Sequence, residues 1–429
     1  MTCEIIVANR LGIALAADSA VTFSGSNGNT YASGANKIFQ LASSEPVAIM
    51  IYNGASLNTI PWEILIKAYR RKLGKDSFDT LSEYRDDLLG FLNDQDNPAI
   101  HSEVRKVDAK AAYGVCGGFL YNLIQEKAPD IFDPTTPGHT WLPAYNAVSA
   151  EIDADLAATD VLPCLEAADL TLALVEEKIG LSLQISSFVA HKVPHLVGVI
   201  DPDKLAAQAI ETAFKHGSEI LESRYTGLVI AGFGNSDYLP SFLSLHCHGF
   251  VGRRVLWKAE AQGDINHGIT ASLIQGFARQ TMIETFTLGA SPEIWQSIGS
   301  AFRKHAAQAC FNAAQNANVA VTAVDVLKAV DDVADAFNQQ WTYTTIEAHL
   351  QPLRAIVAGL ALEELAELAE NLVMLESLKE KVTSRTQSVG GPIDLAVITK
   401  EEGLVWIKRK HYFDPSLNLR YVQRLQQAN

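Results

Sequence analysis

The second residue of the chain is a threonine that directly follows Met1. Initiator methionine is normally removed before a small residue, and its removal would leave Thr2 with a hydroxyl group and a free α-amine. An α-amine has a reference pKa of about 7.7–8.0, so near neutral pH it can accept the proton of the Thr2 Oγ. This is the N-terminal form of a nucleophile–base pair. The alternative is a threonine without a chemical role, as in many cytosolic chains.

An acidic and a basic residue lie at the ends of two apolar segments. Asp18 follows the run that ends at Ala17, and Lys37 precedes the run that begins at Ile38. A carboxylate at the end of a buried strand is costly unless it is paired, so Lys37 is its expected partner. Beside the amino terminus this pair would favour the ionised hydroxyl and keep the amine neutral. An ordinary salt bridge between strand ends is the alternative interpretation.

The first part of the chain predicts the strands that must position these residues. Two β-rich runs flank a short turn that contains Gly12, which indicates a hairpin. The predicted elements are strands over 3–9, 13–17, 38–41 and 47–52, a loop over 22–36, and a helix that begins at Pro61 with Thr59 as its cap.

The remainder alternates between helical and β-rich stretches. Residues 75–215 have helical periodicity, and 193–200 fit either a strand or a buried loop. Further strands are predicted over 227–231, 241–246, 255–259, 393–399 and 404–408, and further helices over 204–223, 266–285, 292–315, 322–338 and 356–382, before a polar tail at 412–429. Because hairpins dominate, we expect an α+β fold in which two mostly antiparallel sheets are covered by helices.

Composition excludes several classes of protein. The chain has 429 residues, of which 48% are hydrophobic and 19% charged, so it can bury a core and is not a disordered chain. Its formal net charge of −15 gives it no general attraction for nucleic acid or anionic lipid, and no apolar run is long enough to span a membrane. Five cysteines without CxxC spacing and no visible export signal predict free thiols in a reducing cytoplasm.

One short motif has the residue types of a metal site. His246 and His248 would share one face of a strand, while Cys247 would point to the other. Two ligands without a third make a poor zinc site, so we predict no metal and no cofactor.

The N-terminal motifs together resemble proteasome β-type subunits and their bacterial relatives, a family of N-terminal nucleophile (Ntn) hydrolases. The resemblance rests on Thr2, the segment Leu15–Thr22 (Leu-Ala-Ala-Asp-Ser-Ala-Val-Thr), and the segment Asn36–Leu41 (Asn-Lys-Ile-Phe-Gln-Leu). It returns in 390–409, which is similar to the family's closing strands, and in 228–234, which is similar to a middle strand. The fold that this resemblance implies is a four-layer αββα sandwich with large helical insertions.

The resemblance also implies roles for residues of the site. Thr2 would be the nucleophile, with its own amine as the base, and Asp18 and Lys37 would orient the amine and tune its charge. Thr22 would pair its backbone with an extended substrate. A backbone N–H in the segment from Ile51 to Gly54 would stabilise the oxyanion.

The chain departs from the family pattern at three places. Where the family has an aspartate before the closing Gly-Gly, Thr386 and Ser388 occupy the stretch, and Ser388 could donate the supporting hydrogen bond. Ile51 stands where the family has a glycine. Residues 75–215 and 290–355 have no counterpart in a minimal subunit.

The predicted organisation is an N-terminal half of the core at 1–74, a mostly helical insertion at 75–220, and a C-terminal half with helical elaborations at 221–429. The predicted function is cleavage of amide bonds, expected to be peptide bonds although small amides are also open. The alternative is an inactive scaffold that assembles or binds a partner. A homo-oligomer, as a ring or a stacked array, is implied by the resemblance alone, and a regulatory ATPase is left open.

Overall fold

The computed structural model describes residues 2–25, 28–266, 268, 270–320, 322–383, 389–411, 413, 414, 417–420 and 423. Their strands are β1 (Cys3–Asn9), β2 (Gly12–Ala17), β3 (Ala20–Gly25), β4 (Gly28–Ser33), β5 (Ile38–Gln40), β6 (Val47–Tyr52), β7 (Ser56–Leu57), β8 (Ile60–Pro61), β9 (Thr226–Gly232), β10 (Ser241–Val251), β11 (Arg254–Asp264), β12 (Ser272–Ala278), β13 (Asp394–Thr399) and β14 (Gly403–Lys408). Their α-helices are α1 (Trp62–Leu73), α2 (Leu81–Asn93), α3 (Ser102–Lys127), α4 (Gly138–Ala158), α5 (Ala167–Glu176), α6 (Lys178–Lys192), α7 (Pro202–Lys215), α8 (Gly217–Ile220), α9 (Thr281–Leu288), α10 (Pro292–Asn316), α11 (Ala323–Thr345), α12 (Gln351–Val357) and α13 (Leu362–Thr383).

Two five-stranded sheets contain most of the strands. The first sheet has the order β12-β1-β2-β13-β14, and the second has the order β11-β10-β9-β6-β5. Every neighbouring pair in both sheets is antiparallel, which confirms the predicted sheet type. Since β1 pairs with β12 and β2 pairs with β13, residues from both ends of the chain form the first sheet.

The two sheets face each other across one apolar core, and helices cover their outer faces. Along β1, Ile6 and Ala8 pack toward the second sheet, whereas Ile5 and Val7 pack against α13. The outer face of the second sheet packs against α1 and α2, where Trp62 is buried. Successive strand residues point to opposite faces, and both faces of β1 are buried. Both faces must therefore be apolar, except where a polar side chain has a hydrogen-bonding or charged partner.

The helices α3 to α8 pack mainly with one another. Their apolar side chains form a separate core that contacts the second sheet through Val251 and Leu256. No α-helix within the described residues is long and apolar enough to cross a membrane.

Several elements were predicted correctly, and four predictions were wrong. The β1–β2 hairpin, β5, β6 and the β13–β14 hairpin all form as expected. The stretch 193–200, left open between strand and loop, contains a 3₁₀ turn at Pro194–Leu196. The polar tail at 412–429 lies mostly outside the described residues.

The helix predicted over 266–285 was wrong, because its central part is strand β12. Leu273, Ile274 and Phe277 are spaced well enough for one side of a helix, yet they lie in a strand that pairs with β1. The strand is held by residues some 270 positions earlier, such as Val7 opposite Ile274. A pairing between such distant segments leaves no local pattern in the sequence.

The other corrections concern a loop, a cap and a helix break. The predicted loop 22–36 contains the β3–β4 hairpin. Helix α1 begins at Trp62, after Pro61, and Thr59 does not cap it. The first N–H of the helix, that of Trp62, donates to the Ala55 carbonyl instead. The helix predicted over 356–382 is interrupted between α12 and α13, where the Asn9 side chain donates to the carbonyls of Val357 and Leu360 at 3.0 and 2.8 Å.

Candidate active site

The Thr2 hydroxyl lies between a carboxylate and a backbone amide. The Thr2 carbonyl accepts the Arg279 N–H at 2.9 Å, which extends the pairing of β1 with the chain after β12. The Thr2 Oγ donates to Glu4 Oε2 at 3.0 Å, and the Asn53 N–H points to the same Oγ at 3.5 Å. Thr2 is only 5% exposed, so its hydroxyl is fixed by protein contacts and is not free in solvent.

Glu4 is a member of this site that the sequence prediction missed. Thr2 and Glu4 are two positions apart along an extended chain, so their side chains share the face that looks toward the second sheet. Glu4 is fully buried, and burial raises the pKa of its carboxyl group from 4.5 to about 7, although the nearby Lys37 ammonium opposes this rise. The available signal was an acidic residue inside an otherwise apolar strand, which requires a partner.

Asp18 is held by three backbone amides and one ammonium. Its Oδ1 accepts the Cys3 N–H at 3.0 Å, and its Oδ2 accepts the Ala20 N–H at 3.3 Å and the Gly390 N–H at 2.7 Å. The Lys37 Nζ also donates to Oδ1. The structure therefore brings Asp18 and Lys37 together.

Lys37 contacts both carboxylates of the site. Its Nζ forms the hydrogen bond to Asp18 and lies 3.2 Å from Glu4 Oε1, without the alignment of a hydrogen bond. All three side chains are almost fully buried, so one ammonium faces two carboxylates in a medium of low dielectric constant. The Lys37 ammonium therefore contacts Glu4, and Glu4 in turn accepts the hydrogen bond of the Thr2 hydroxyl.

The turn after β6 supplies the amide that faces Thr2. The Ile51 N–H donates to the Lys37 carbonyl at 2.9 Å, so this amide is engaged in the second sheet, and the Asn53 N–H is the amide of the predicted segment 51–54 that faces Thr2. Asn53 has a φ of 63°, and its side chain donates to the Tyr225 carbonyl at 2.9 Å. A Cβ on Gly54 would lie 2.3 Å from the Thr226 hydroxyl, so glycine is needed there.

The remaining predicted site residues are placed only in part. The backbone of Thr22 is in β3, opposite Tyr31 of β4, and within the described residues β3 pairs with β4 alone. Thr386 and Ser388 lie outside the described residues.

A small cavity lies beside Thr2. Its volume is about 40 Å³, and it is bounded by Thr2, Val21, Ala35, Lys37 and residues 51–55. A much larger cavity of about 450 Å³ lies between α3 and α6, but the described residues that line it include no carboxylate, lysine, histidine or cysteine. Thr2 and Lys37 therefore line the small cavity and not the large one.

The histidine motif of β10 forms a hydrogen-bonded cluster. His246 contacts Glu222 through Nδ1 at 2.7 Å and the Tyr52 hydroxyl through Nε2 at 3.0 Å, while the Tyr225 ring stacks on it. Cys247 points to the opposite face, toward the helices, as predicted. No group of three metal-ligating side chains occurs in the described part of the chain.

Comparison with known proteins gives distant structural matches only. No protein-family model and no curated protein matches the chain. Among solved structures, it is similar to a Gly-1 mutant of Anbu from Hyphomicrobium sp. strain MC1, with 8% identity, 100% of this chain and 96% of that chain covered, and a TM-score of 0.28.

Two further Anbu structures match to the same degree. The helical assembly of the Anbu complex from Pseudomonas aeruginosa has 7% identity, covers 99% of this chain and 95% of that chain, and has a TM-score of 0.30. Anbu (ancestral beta-subunit) from Yersinia bercovieri has 8% identity, covers 100% and 96%, and has a TM-score of 0.29. At such TM-scores the likeness has no weight for the chemistry of the site, which rests on the geometry of the chain itself.

Proposed function

We propose that this protein is a threonine-type N-terminal nucleophile hydrolase that cleaves amide bonds through Thr2 after Met1 is removed. The observation that supports this most is the placement of the Thr2 hydroxyl between the Glu4 carboxylate and the Asn53 N–H, in a residue that lines a small cavity. The order of helices, sheet, sheet and helices fits the sandwich expected for such a hydrolase.

The nucleophile is activated by removal of its proton. The α-amine that Met1 removal releases would be a base with a reference pKa of about 7.7–8.0. Lys37 and Asp18 lie beside this end of β1, and the positive charge of Lys37 favours the neutral amine and the ionised hydroxyl. The hydroxyl oxygen then attacks the amide carbon, the amine leaves, and water releases the acyl group from Thr2.

The oxyanion that forms during the attack needs a nearby donor. We assign this role to the Asn53 N–H, because it already points to the Thr2 Oγ and the neighbouring Ile51 amide is engaged elsewhere. Loss of one such donor typically costs about 3–4 kcal/mol of transition-state stabilisation. The strained conformation of Asn53 and the close approach of Gly54 to Thr226 fix the amide in position.

A β-lactone or epoxyketone probe with an intact-mass readout tests the function. We expect native protein, with Met1 absent by mass, to gain one probe molecule, and Thr2→Ala to gain none. Thr212→Ala is a matched control, since Thr212 is a buried threonine in α7 whose hydroxyl donates to the Gln208 carbonyl. Equal labelling of native protein and Thr2→Ala would end the catalytic proposal.

The second candidate is a non-catalytic scaffold, and two observations favour it. The cavity at Thr2 is small, and apolar side chains at helical spacing lie exposed on α5 and α6: Val175, Ile179 and Leu183. This row would suit contact with a second copy of the chain. Light scattering tests the assembly: a native oligomer that Ile179→Glu/Leu183→Glu dissociates would support it, and a native monomer would contradict it.

A further inference from the structure

Glu4 occupies a position where an ionised side chain has few sources of stabilisation. Its carboxylate is fully buried on the face of β1 that packs toward the second sheet, beside Ile6. Its Oε2 accepts the Thr2 Oγ–H at 3.0 Å, and its Oε1 has only the unaligned contact with Lys37. A buried carboxylate with this environment holds a proton more readily than an exposed one.

The two carboxylates of the site, Asp18 and Glu4, differ in how many donors stabilise them. Asp18 has three backbone donors and the aligned hydrogen bond of Lys37, whereas Glu4 has neither backbone donors nor that alignment. Burial raises the pKa of Glu4, the Lys37 ammonium and the hydrogen bond from Thr2 lower it, and the charge of Asp18 raises it. Burial raises the pKa of Cys3 and of Tyr52, and the charge of Glu4 in turn adds to both rises. Glu4 therefore has fewer donors than Asp18, and it is the carboxylate that already accepts the Thr2 Oγ–H.

We propose that Glu4 is a second base of the site, which removes the Thr2 Oγ proton directly and lets the hydroxyl react even when the α-amine is blocked. This rests on the proposed function of Thr2. As the Oγ–C bond forms, the Oγ proton passes to Glu4 Oε2 and the carbonyl electron pair moves to the oxygen. When that pair returns, the C–N bond breaks and Glu4 gives its proton to the leaving nitrogen. In the second half, Glu4 takes a proton from water as it attacks the ester and returns it to Thr2 Oγ.

The geometry meets the requirement for a general base. The heavy-atom distance of 3.0 Å is within hydrogen-bond reach of the proton to be removed. Burial raises the pKa of Glu4 to about 7, which suits a base that works near neutral pH. The contact of Glu4 with Lys37 keeps it ionised for part of the time, since the ammonium favours the charged form.

Four preparations separate the two bases. Native protein and Glu4→Gln are each made in a form that starts at Thr2, by aminopeptidase treatment, and in a form that keeps Met1, by cell-free translation with the aminopeptidase inhibited. Intact mass verifies both ends. The rate of acylation by a β-lactone is measured for all four, because the lactone opens on Oγ and its ring oxygen takes the transferred proton.

We expect native protein that keeps Met1 to be acylated, and the matching Glu4→Gln form to react at least ~100-fold more slowly, the usual scale of general-base catalysis. Glu376→Gln is the control, since Glu376 is a buried carboxylate in α13 that accepts the Met282 N–H at 2.6 Å. It should react at the native rate.

Two results would overturn the role of Glu4 while the function of Thr2 stands. One is acylation of Glu4→Gln at the native rate, and the other is acylation of native protein only when Met1 is absent. No acylation of any form overturns both proposals. If Glu4→Gln does not fold, as judged by circular dichroism, the comparison of the two native forms still decides.

Discussion

The Asp18 carboxylate accepts the Gly390 N–H at 2.7 Å, so the residue after β2 is tied to the chain that leads into β13. The same carboxylate accepts the Cys3 N–H and the Lys37 ammonium. Three distant segments of the chain therefore meet on one side chain.

We expect Asp18→Asn to lose about 3–5 kcal/mol of unfolding free energy, because the change removes the charge of the carboxylate with which Lys37 pairs in a buried site. Urea denaturation followed by circular dichroism measures this loss. Asp237→Asn is the control, since Asp237 is only half-buried and accepts a single N–H, from Gly234. Equal losses of unfolding free energy in the two variants would argue against the claim that Asp18 holds the three segments together.

Replacement of Lys37 by methionine should reduce both stability and reactivity. The change leaves Glu4 and Asp18 buried without a cation, so we expect acylation by the β-lactone to fall about 100-fold. The double variant Lys37→Met/Glu4→Gln should regain part of the stability, because one buried charge is removed, but none of the reactivity. A double variant less stable than Lys37→Met would contradict this account of the charges.

The stability of the folded protein should decrease as the pH rises toward neutrality. Burial raises the pKa of Glu4 from 4.5 to about 7, so between these values the folded state keeps a proton that the unfolded state has released. The free energy of unfolding then falls by about 3 kcal/mol across this range from Glu4 alone, at roughly 1.4 kcal/mol per pKa unit. Urea denaturation at pH 5, 6 and 7 should show this slope in native protein and a smaller one in Glu4→Gln; identical slopes would disprove it.

The close contact between Gly54 and Thr226 can be tested by a pair of variants. Gly54→Ala would place its Cβ 2.3 Å from the Thr226 hydroxyl, so we expect a loss of about 1–3 kcal/mol and a displaced Asn53 amide. Adding Thr226→Ala removes that oxygen and should restore much of the acylation rate. If the effects of the two changes simply add, the contact does not control the position of the amide.

The size of the cavity predicts a preference among substrates. A volume of about 40 Å³ beside Val21 and Ala35 accommodates a methyl group more readily than an aromatic ring. Overpacking costs about 1–3 kcal/mol, so we expect kcat/KM for an alanyl amide to exceed that for the phenylalanyl amide at least ~5-fold. A fluorogenic pair of these amides gives the measurement, and a preference for phenylalanine would contradict the prediction.

The sequence was sufficient where structure is local. The β1–β2 and β13–β14 hairpins join adjacent β-rich runs across short turns, so both could be recognised without knowledge of the rest of the fold. Asp18 and Lys37 could be paired because each was a charge next to an apolar run, and a buried charge needs a partner.

The features that were missed depend on distant contacts. Strand β12 is stabilised by its pairing with β1. Helix α12 ends at Val357, where the Asn9 side chain donates hydrogen bonds to the carbonyls of Val357 and Leu360. Glu4 was passed over because Lys37 was paired with Asp18 alone, and only the fold shows that Lys37 contacts both carboxylates. The Asn53 amide lies within the predicted segment 51–54, but only the folded turn shows that the Ile51 amide is engaged and that the Asn53 N–H faces Thr2.

The first sheet has a consequence for the newborn chain on the ribosome. The outer neighbours of the β1–β2 hairpin, β12 and β13, are made only after residue 271, and Gly390, whose N–H binds Asp18, is translated near the end. Contacts between such distant segments form late. The unfinished polypeptide therefore lacks the contact that fastens Asp18 beside Thr2, so under the proposed function it would gain its reactive hydroxyl only when synthesis is nearly complete.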